Sequence, residues 1–172
     1  MYRVFSGRVI LYLLFLLVLD ITLVPLVRIG FVRPVLEYLI ILYAAFQWGW
    51  QKTLPIAITV GILRDFVSSQ SLGIETSSLI FASFVLDLLV QKMEREIWFL
   101  RLTAAFLFVF CASMSSLILS SFLGEGIHVS GASVTIALGT SFYTAILMPP
   151  FFYLTARWFH DRFAFKQYEL FR

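Results

Sequence analysis

Six apolar segments, joined by short links, occupy nearly all of the 172 residues. With 60% hydrophobic and 13% charged residues, a soluble domain of this length could not bury its apolar surface, so we interpret the segments as membrane helices. They lie at about residues 9–27, 35–50, 53–67, 77–90, 97–123 and 134–159. The sequence therefore predicts an all-α polytopic membrane protein, with residues 1–172 forming a single integral membrane domain.

The distribution of Lys and Arg predicts the orientation of these helices. With the N-terminus inside the cell and six transmembrane helices, only Arg28, Arg33 and Arg64 of the 13 basic residues lie outside. Cytoplasmic loops carry an excess of Lys and Arg, so this bias favours both termini in the cytoplasm, that is, N-in/C-in. All four tryptophans fall at predicted cytoplasmic ends, as interfacial anchors do: Trp48, Trp50, Trp98 and Trp158.

Segments three and four are predicted to be short. Each provides about 15 apolar residues, whereas a transmembrane helix takes roughly 20. The link between them, Ser68-Ser69-Gln70-Ser71, is polar. Two short helices that both cross the membrane are the preferred interpretation, and a re-entrant hairpin that dips in from the cytoplasm is the alternative.

Motifs for catalysis and metal binding are missing from the sequence. It contains neither His-Glu-x-x-His nor Gly-x-Ser-x-Gly, and His128 and His160 fall at opposite predicted faces of the membrane. The basic residues follow the ends of the apolar segments, which is typical of topology signals and not of a nucleic-acid surface. The lone Cys111 is interpreted as a packing residue. We therefore expect no enzyme, no cofactor, no metal site and no nucleic-acid partner.

Acidic residues at membrane depth are the best candidates for a functional site, because a carboxylate in the bilayer costs roughly 2.5–3.5 kcal/mol. Asp20 and Glu37 fall at the predicted outer level, as do Arg64 and Asp65. Neighbouring helix residues point about 100° apart, so Arg64 and Asp65 should each find a partner on another helix. Asp87 falls near the inner face.

Partners for these charges are proposed by sign and depth. Arg64 is expected to pair with Asp20, Glu37 or Asp87, and Asp65 with Arg28 or Arg33. Asp87 is expected to be solvated or paired with Lys92 or Arg95. The group has two interpretations: it holds helices together or reaches the interface, or it binds a partner or a transported molecule.

A second candidate surface lies on the fifth segment, where Ala112, Ser116 and Ser120 recur at every fourth residue. Small residues at this spacing let another helix approach closely. The stripe is predicted to pack within the chain or, alternatively, against a partner's helix.

The run from residue 34 to 90 resembles the bacterial rod-shape-determining protein family MreD. The matching residues are Pro34 at the start of the second segment, Gly61-Ile62-Leu63-Arg64-Asp65 at the end of the third, and then Leu72-Gly73. Two positions depart from the family pattern: Val35 follows the proline, with the acid at Glu37, and Ile62 replaces a leucine.

The resemblance implies a multi-pass component of the bacterial inner membrane that acts in cell elongation and lateral peptidoglycan synthesis. It implies binding to a single-span MreC-like partner and action near MreB-like, RodA-like and transpeptidase components, in contact with membrane lipid. Its motif residues add Gly61 and Gly73 to the candidate site, beside Asp20, Glu37, Arg64 and Asp65.

The alternative function is the substrate-binding membrane subunit of a vitamin-type transporter, which is also a small six-helix protein. Such a subunit needs polar groups that recognise a small ligand. This chain has no asparagine, and its glutamines fall at segment ends or in links. The first 27 residues also contain no alanine, so the Ala-xxx-Ala coupling motif of such subunits is missing.

Overall fold

The computed structural model describes residues 7–22, 24–28, 30–68, 71–92, 98–123 and 130–159. These ranges contain six α-helices, numbered in chain order: α1 (Gly7–Thr22), α2 (Leu36–Gln47), α3 (Trp50–Val67), α4 (Ile74–Lys92), α5 (Trp98–Phe122) and α6 (Gly131–Phe159). The predicted all-helical class is thus confirmed for the described part of the chain.

Three of the helices are long and apolar enough to cross a membrane. They comprise Ile74–Lys92, Phe99–Phe122 and Gly131–Phe159, with 19, 24 and 29 residues. Two further apolar helices are shorter, at Leu11–Thr22 and Leu36–Gln47. Large apolar side chains also point outward, as membrane-facing residues do: Phe81, Phe84 and Phe142 are 57, 53 and 63% exposed. Length, composition and surface together indicate a membrane protein.

Helix α2 lies at the centre of the bundle and contacts each of the other five helices. Its residues from Leu39 to Ala44 are fully buried. A helix that is apolar on every face must be shielded from water on every face, and here the other helices of the bundle shield it. Around it, α3 packs on α4, α4 on α5, and α5 on α6.

The lengths of helices three and four correct the sequence-based prediction. α3 has 18 residues and α4 has 19, whereas α1 has 16 and α2 has 12. α3 begins at Trp50 and not at residue 53, and α4 begins at Ile74 and not at 77. Their first turns carry polar residues such as Lys52 and Glu75, which a hydropathy criterion rejects. The start of a helix accepts Glu75 because its unpaired N–H groups favour an acidic neighbour, whereas the Lys52 ammonium lies over the Trp48 ring, 5.8 Å from its centroid.

The C-terminal end of α2 is surrounded by aromatic rings. The ring of Tyr43 lies 5.4 Å from that of Phe152 and 5.5 Å from that of Trp48, and the rings of Trp48 and Phe159 are 5.1 Å apart. All three pairs are edge-to-face, the arrangement that aromatic quadrupoles favour. We call these four residues, Tyr43, Trp48, Phe152 and Phe159, the aromatic end.

Helix α1 is joined to α6 near the aromatic end. The hydroxyl of Tyr12 forms a buried 2.8 Å hydrogen bond with Thr155 Oγ1, and the Tyr12 ring lies 5.4 Å from that of Phe159. α1 also packs on α2. These contacts hold α1 against the centre of the bundle and set its direction toward the opposite end.

Candidate functional site

Charged side chains from four helices meet at the other end of α2. Asp20 lies in the last turn of α1, Glu37 in the first turn of α2, Arg64 in the last turn of α3 and Glu75 in the first turn of α4. The end of α1 and the start of α2 lie there, as do the end of α3 and the start of α4. We call these four residues the charged end.

Arg64 is the cation at the centre of this group. Its Nη1 donates to Glu37 Oε2 at 3.2 Å, and its Nε lies 3.5 Å from Glu75 Oε2. The guanidinium also stacks over the Tyr38 ring, 5.0 Å from its centroid. Glu37 and Tyr38 are 5 and 3% exposed, so these contacts are largely shielded from solvent. One guanidinium therefore joins three helices through two carboxylates.

Glu75 has a partner on each of its oxygens. Tyr38 donates its hydroxyl to Oε2 at 3.1 Å, and Ser116 donates its hydroxyl to Oε1 at 3.2 Å. Together with the Arg64 ion pair, these contacts bind the start of α4 to α2, α3 and α5. Glu75 is a buried carboxylate whose contacts are satisfied within the fold.

Asp65 binds the N-terminus of α4. Its Oδ1 accepts the backbone N–H of Glu75 at 3.0 Å, and its Oδ2 accepts the N–H of Thr76 at 3.2 Å and also the Thr76 hydroxyl. Glu75 and Thr76 are the second and third residues of α4, whose N–H groups have no partner inside the helix. Asp65 therefore acts as a cap for α4 that is supplied by the preceding helix.

Two glycines permit this arrangement. A Cβ built on Gly61 would lie 2.5 Å from the Cα of Thr76, so α3 and α4 approach more closely there than any other residue would allow. Gly73 has φ +100°, a conformation that side chains disfavour, and it directly precedes α4. The Gly-Ile-Leu-Arg-Asp and Leu-Gly runs thus build one close helix–helix contact.

The N-terminus of α2 is bound in a similar way. The N–H of Leu36, its first residue, points to Asp20 Oδ1 at 3.5 Å, and the N–H of Val35 donates to Thr144 Oγ1 at 3.2 Å. An aspartate near the end of one helix thus caps the start of the next at both α1–α2 and α3–α4. The Asp20 contact is the longer and weaker of the two.

A cavity of about 530 Å³ opens at the charged end. Its wall includes Asp20 from α1, Glu37 from α2, and Arg64 and Glu75 from α3 and α4. Arg28 and Arg33, both exposed, complete its charged lining. A second cavity of about 260 Å³ shares Arg33, Arg64 and Glu75. The larger volume falls in the range of small-ligand sites, roughly 300–1,000 Å³.

The structure brings the predicted polar residues to one place but changes some of their partners. Arg64 pairs with Glu37, one of the three acids that the sequence offered. For Asp65 the expected arginine partner was wrong: within the described residues it binds backbone and hydroxyl donors of α4. The α4 N-terminus lies closer to it, and its partial positive charge takes the place of a cation.

Of two other predicted groups, Asp87 lies apart from this site, and the small-residue stripe packs within the chain, as the first of its two interpretations predicted. Asp87 accepts a 2.6 Å hydrogen bond from Gln91, one helical turn further along α4, and Arg95 lies outside the described residues. The small-residue stripe is buried inside the chain, with Ala112, Ser116 and Ser120 at 0, 8 and 1% exposure. Its middle residue belongs to the charged end through Glu75.

Sequence reasoning missed Glu75 and Tyr38. Glu75 fell in a predicted link, since segment four was placed from residue 77. A signal was present, because an acid two residues after the turn glycine Gly73 is typical of the first turn of a helix. Tyr38 gave no signal, since tyrosine is common in apolar segments.

Comparison of the chain with protein-family models, with curated proteins and with solved structures finds no match in any of the three.

Proposed function

We propose that this protein is a multi-pass scaffold of the bacterial inner membrane that acts in cell elongation and lateral peptidoglycan synthesis. It binds a single-span MreC-like partner, with MreB-like, RodA-like and transpeptidase components nearby. One observation carries the proposal. The residues that resemble the MreD family are those that build the α3–α4 contact: Gly61 against Thr76, Asp65 on the α4 N-terminus, and Gly73 at the turn.

Such a scaffold would bind its partner through the outward surface of its helices. The buried stripe on α5 is occupied by the chain itself, so a partner helix is expected on an outward apolar face. Phe81, Phe84 and Leu88 form such a face on α4, each exposed by 46% or more. Association of helices in lipid depends on close packing, for which exposed side chains of this kind are available.

The proposed topology is six transmembrane helices with both termini in the cytoplasm. It is supported by the basic residues and by the tryptophans, since Trp48, Trp50 and Trp158 all fall at the aromatic end of the bundle. The test is labelling of single cysteines in a Cys111→Ser background with an impermeant maleimide. Exposed positions Ser71 and Leu123 should react from outside, and Gln51 and Gln91 should not. Protection of Ser71 alone would favour the re-entrant hairpin.

The functional test is depletion together with purification of the complex. Depletion should turn rod-shaped cells round, and the tagged protein in mild detergent should bring down a single-span periplasmic elongation protein. An apolar-to-charged change at Phe84 should weaken that association, whereas the same change at the exposed Phe142 on α6 serves as the matched control. Retained rod shape after depletion would contradict the proposal.

The second candidate is the small-molecule-binding subunit of a vitamin-type transporter. The cavity of about 530 Å³ at the charged end is the observation that favours it. Specific high-affinity binding of a vitamin-like compound by the purified protein, with normal cell shape after depletion, would select this function over the scaffold.

A further inference from the structure

The geometry points to a binding site for a zwitterion of the phosphoethanolamine type in the cavity at the charged end. The ligand carries a primary ammonium group joined through a short linker to a phosphate. This site is independent of the proposed scaffold function, and its test needs no partner protein.

The cavity is lined by three carboxylates, those of Asp20, Glu37 and Glu75, and by three guanidinium groups, those of Arg28, Arg33 and Arg64. Glu37 and Glu75 are buried, whereas Arg28 and Arg33 are exposed. The lining is therefore neutral as a whole, but two of its positive charges lie nearer to solvent than its negative charges. A ligand that carries both charges at a fixed spacing matches such a lining better than a simple cation or anion does.

The hydrogen bonds show which carboxylates can take the cation of such a ligand. Both oxygens of Glu75 already have partners. Within the described ranges, Glu37 accepts one hydrogen bond, from Arg64, and Asp20 accepts one, from the Leu36 N–H at 3.5 Å. A carboxylate accepts about four hydrogen bonds, so Asp20 and Glu37 retain most of their capacity.

A primary ammonium group matches these acceptors. It offers three N–H donors on a compact charge, which two neighbouring carboxylates can share. A metal ion fits less well, since nowhere in the described ranges do three His, Cys, Asp or Glu residues come close enough to hold one. The ammonium end of the ligand is therefore assigned to Asp20 and Glu37.

The rim of the same cavity has the opposite sign. Arg28 and Arg33 both line it and are both exposed. Guanidinium groups bind phosphate oxygens through paired N–H donors. Because the carboxylates are less exposed than these two arginines, the ammonium group of the ligand is expected inside the cavity and its phosphate at the mouth. The arrangement therefore sets the orientation of the ligand as well as its charges.

The same group occurs on a phospholipid and in free O-phosphoethanolamine. The purified full chain, stripped of lipid in detergent, is titrated with phosphatidylethanolamine, phosphatidylcholine, phosphatidylglycerol and O-phosphoethanolamine, and binding is followed by native mass spectrometry and thermal unfolding. Phosphatidylethanolamine should bind about tenfold more tightly than phosphatidylcholine, whose quaternary ammonium has no N–H donors. Competition by O-phosphoethanolamine identifies a site for the free compound, and retention of the lipid alone identifies a headgroup site.

Asp20→Asn should weaken binding about tenfold, the loss of one charge-assisted contact. Asp87→Asn is the matched control and should leave the affinity unchanged, because Asp87 lies on α4 away from the cavity lining. Arg33→Gln should weaken the binding of the phosphate-bearing ligands alone and leave the binding of free ethanolamine, titrated as a further ligand, unaffected. Asp20 and Arg33 have no ion-pair partner within 4.0 Å in the described residues, so both variants should fold.

Three results would overturn the assignment: equal affinity for phosphatidylethanolamine and phosphatidylcholine, unchanged affinity in folded Asp20→Asn, or no binding of any ethanolamine compound. None of them bears on partner capture or on cell shape, so the site and the scaffold function stand or fall separately.

Discussion

The two ends of α2 are held by different kinds of contact. At the aromatic end, Tyr43, Trp48, Phe152 and Phe159 pack edge to face at 5.1–5.5 Å. At the charged end, one guanidinium lies between two carboxylates beside a cavity of about 530 Å³. Apolar packing needs only shape and contact, whereas an ion pair in a poorly solvated place needs a specific partner at a specific distance.

This contrast shows where a functional site belongs in such a bundle. The rings of the aromatic end fill the space around α2, so they provide no place for a ligand to bind. At the charged end, Asp20 and Glu37 each accept one hydrogen bond from the described residues, so unused acceptors remain beside an open volume. We therefore expect changes at the charged end to affect both stability and binding, and conservative changes at the aromatic end to affect neither strongly.

Arg64→Leu is expected to have the largest effect. It removes the only guanidinium within ion-pair distance of Glu37 and Glu75 in the described structure, and leaves both carboxylates buried without a cation. Removing one partner of a buried ion pair costs about 3–5 kcal/mol, which unfolding of the detergent-purified protein by denaturant would measure. Arg157→Leu, at an exposed position near the end of α6, is the control. Equal stability of the two variants would remove the distinction between the ends.

Gly61→Ala is expected to come second. The added Cβ would lie 2.5 Å from the backbone of Thr76, so α3 and α4 must separate and the Asp65 cap must stretch. Overpacking of this kind costs about 1–3 kcal/mol. Gly131→Ala, where a Cβ meets nothing within 4 Å, should be close to neutral. A stable Gly61→Ala protein would show that the close approach is dispensable.

Asp65→Ala should cost about 1–2 kcal/mol, the loss of a helix cap. Asp87→Ala is its control, because Asp87 contacts only the neighbouring Gln91 among the described side chains. At equal protein level, Asp65→Ala should also impair cell shape more than Asp87→Ala. If both variants keep normal stability and cell shape, other interactions are sufficient to hold α3 against α4 and the Asp65 cap is not required.

Phe152→Leu should have the smallest effect, about 1 kcal/mol, since exchange of one buried apolar side chain for another is usually tolerated. The variant sharpens the comparison because the side chain at 152 is as buried as Glu37 at the other end, with 4 and 5% exposure. If Phe152→Leu lost as much stability as Arg64→Leu, the packing at the aromatic end would depend on ring geometry and not on apolar volume.

The sequence predicted the six helices because glycine, proline or charge bounds each apolar segment, although it extended the first to residue 27 where α1 ends at Thr22. It failed at the first turns of α3 and α4, where Lys52 and Glu75 are helical although polar. Hydropathy records the cost of leaving water but not the contacts that offset it: Glu75 pairs with Arg64, and Lys52 lies over the Trp48 ring. The boundary error removed Glu75 from the candidate site.

The partners within the site were less predictable than its members. Sign and depth offered Asp20, Glu37 and Asp87 to Arg64, and the structure pairs it with Glu37. The same rule offered arginines to Asp65, whose real partners are the N–H groups of Glu75 and Thr76. A sequence shows side-chain charges but not the direction of backbone dipoles, and this direction depends on how α4 packs against α3.

The pairing of Arg64 also sets an order of events during synthesis in the proposed membrane setting. Glu37 leaves the ribosome 27 residues before Arg64. In a chain that is inserted one helix at a time, the α2 carboxylate would enter the bilayer without the Arg64 guanidinium that pairs with it. Entry of α2 and α3 as a pair would avoid this cost, and the central helix of the bundle would then depend on the helix that follows it in the chain.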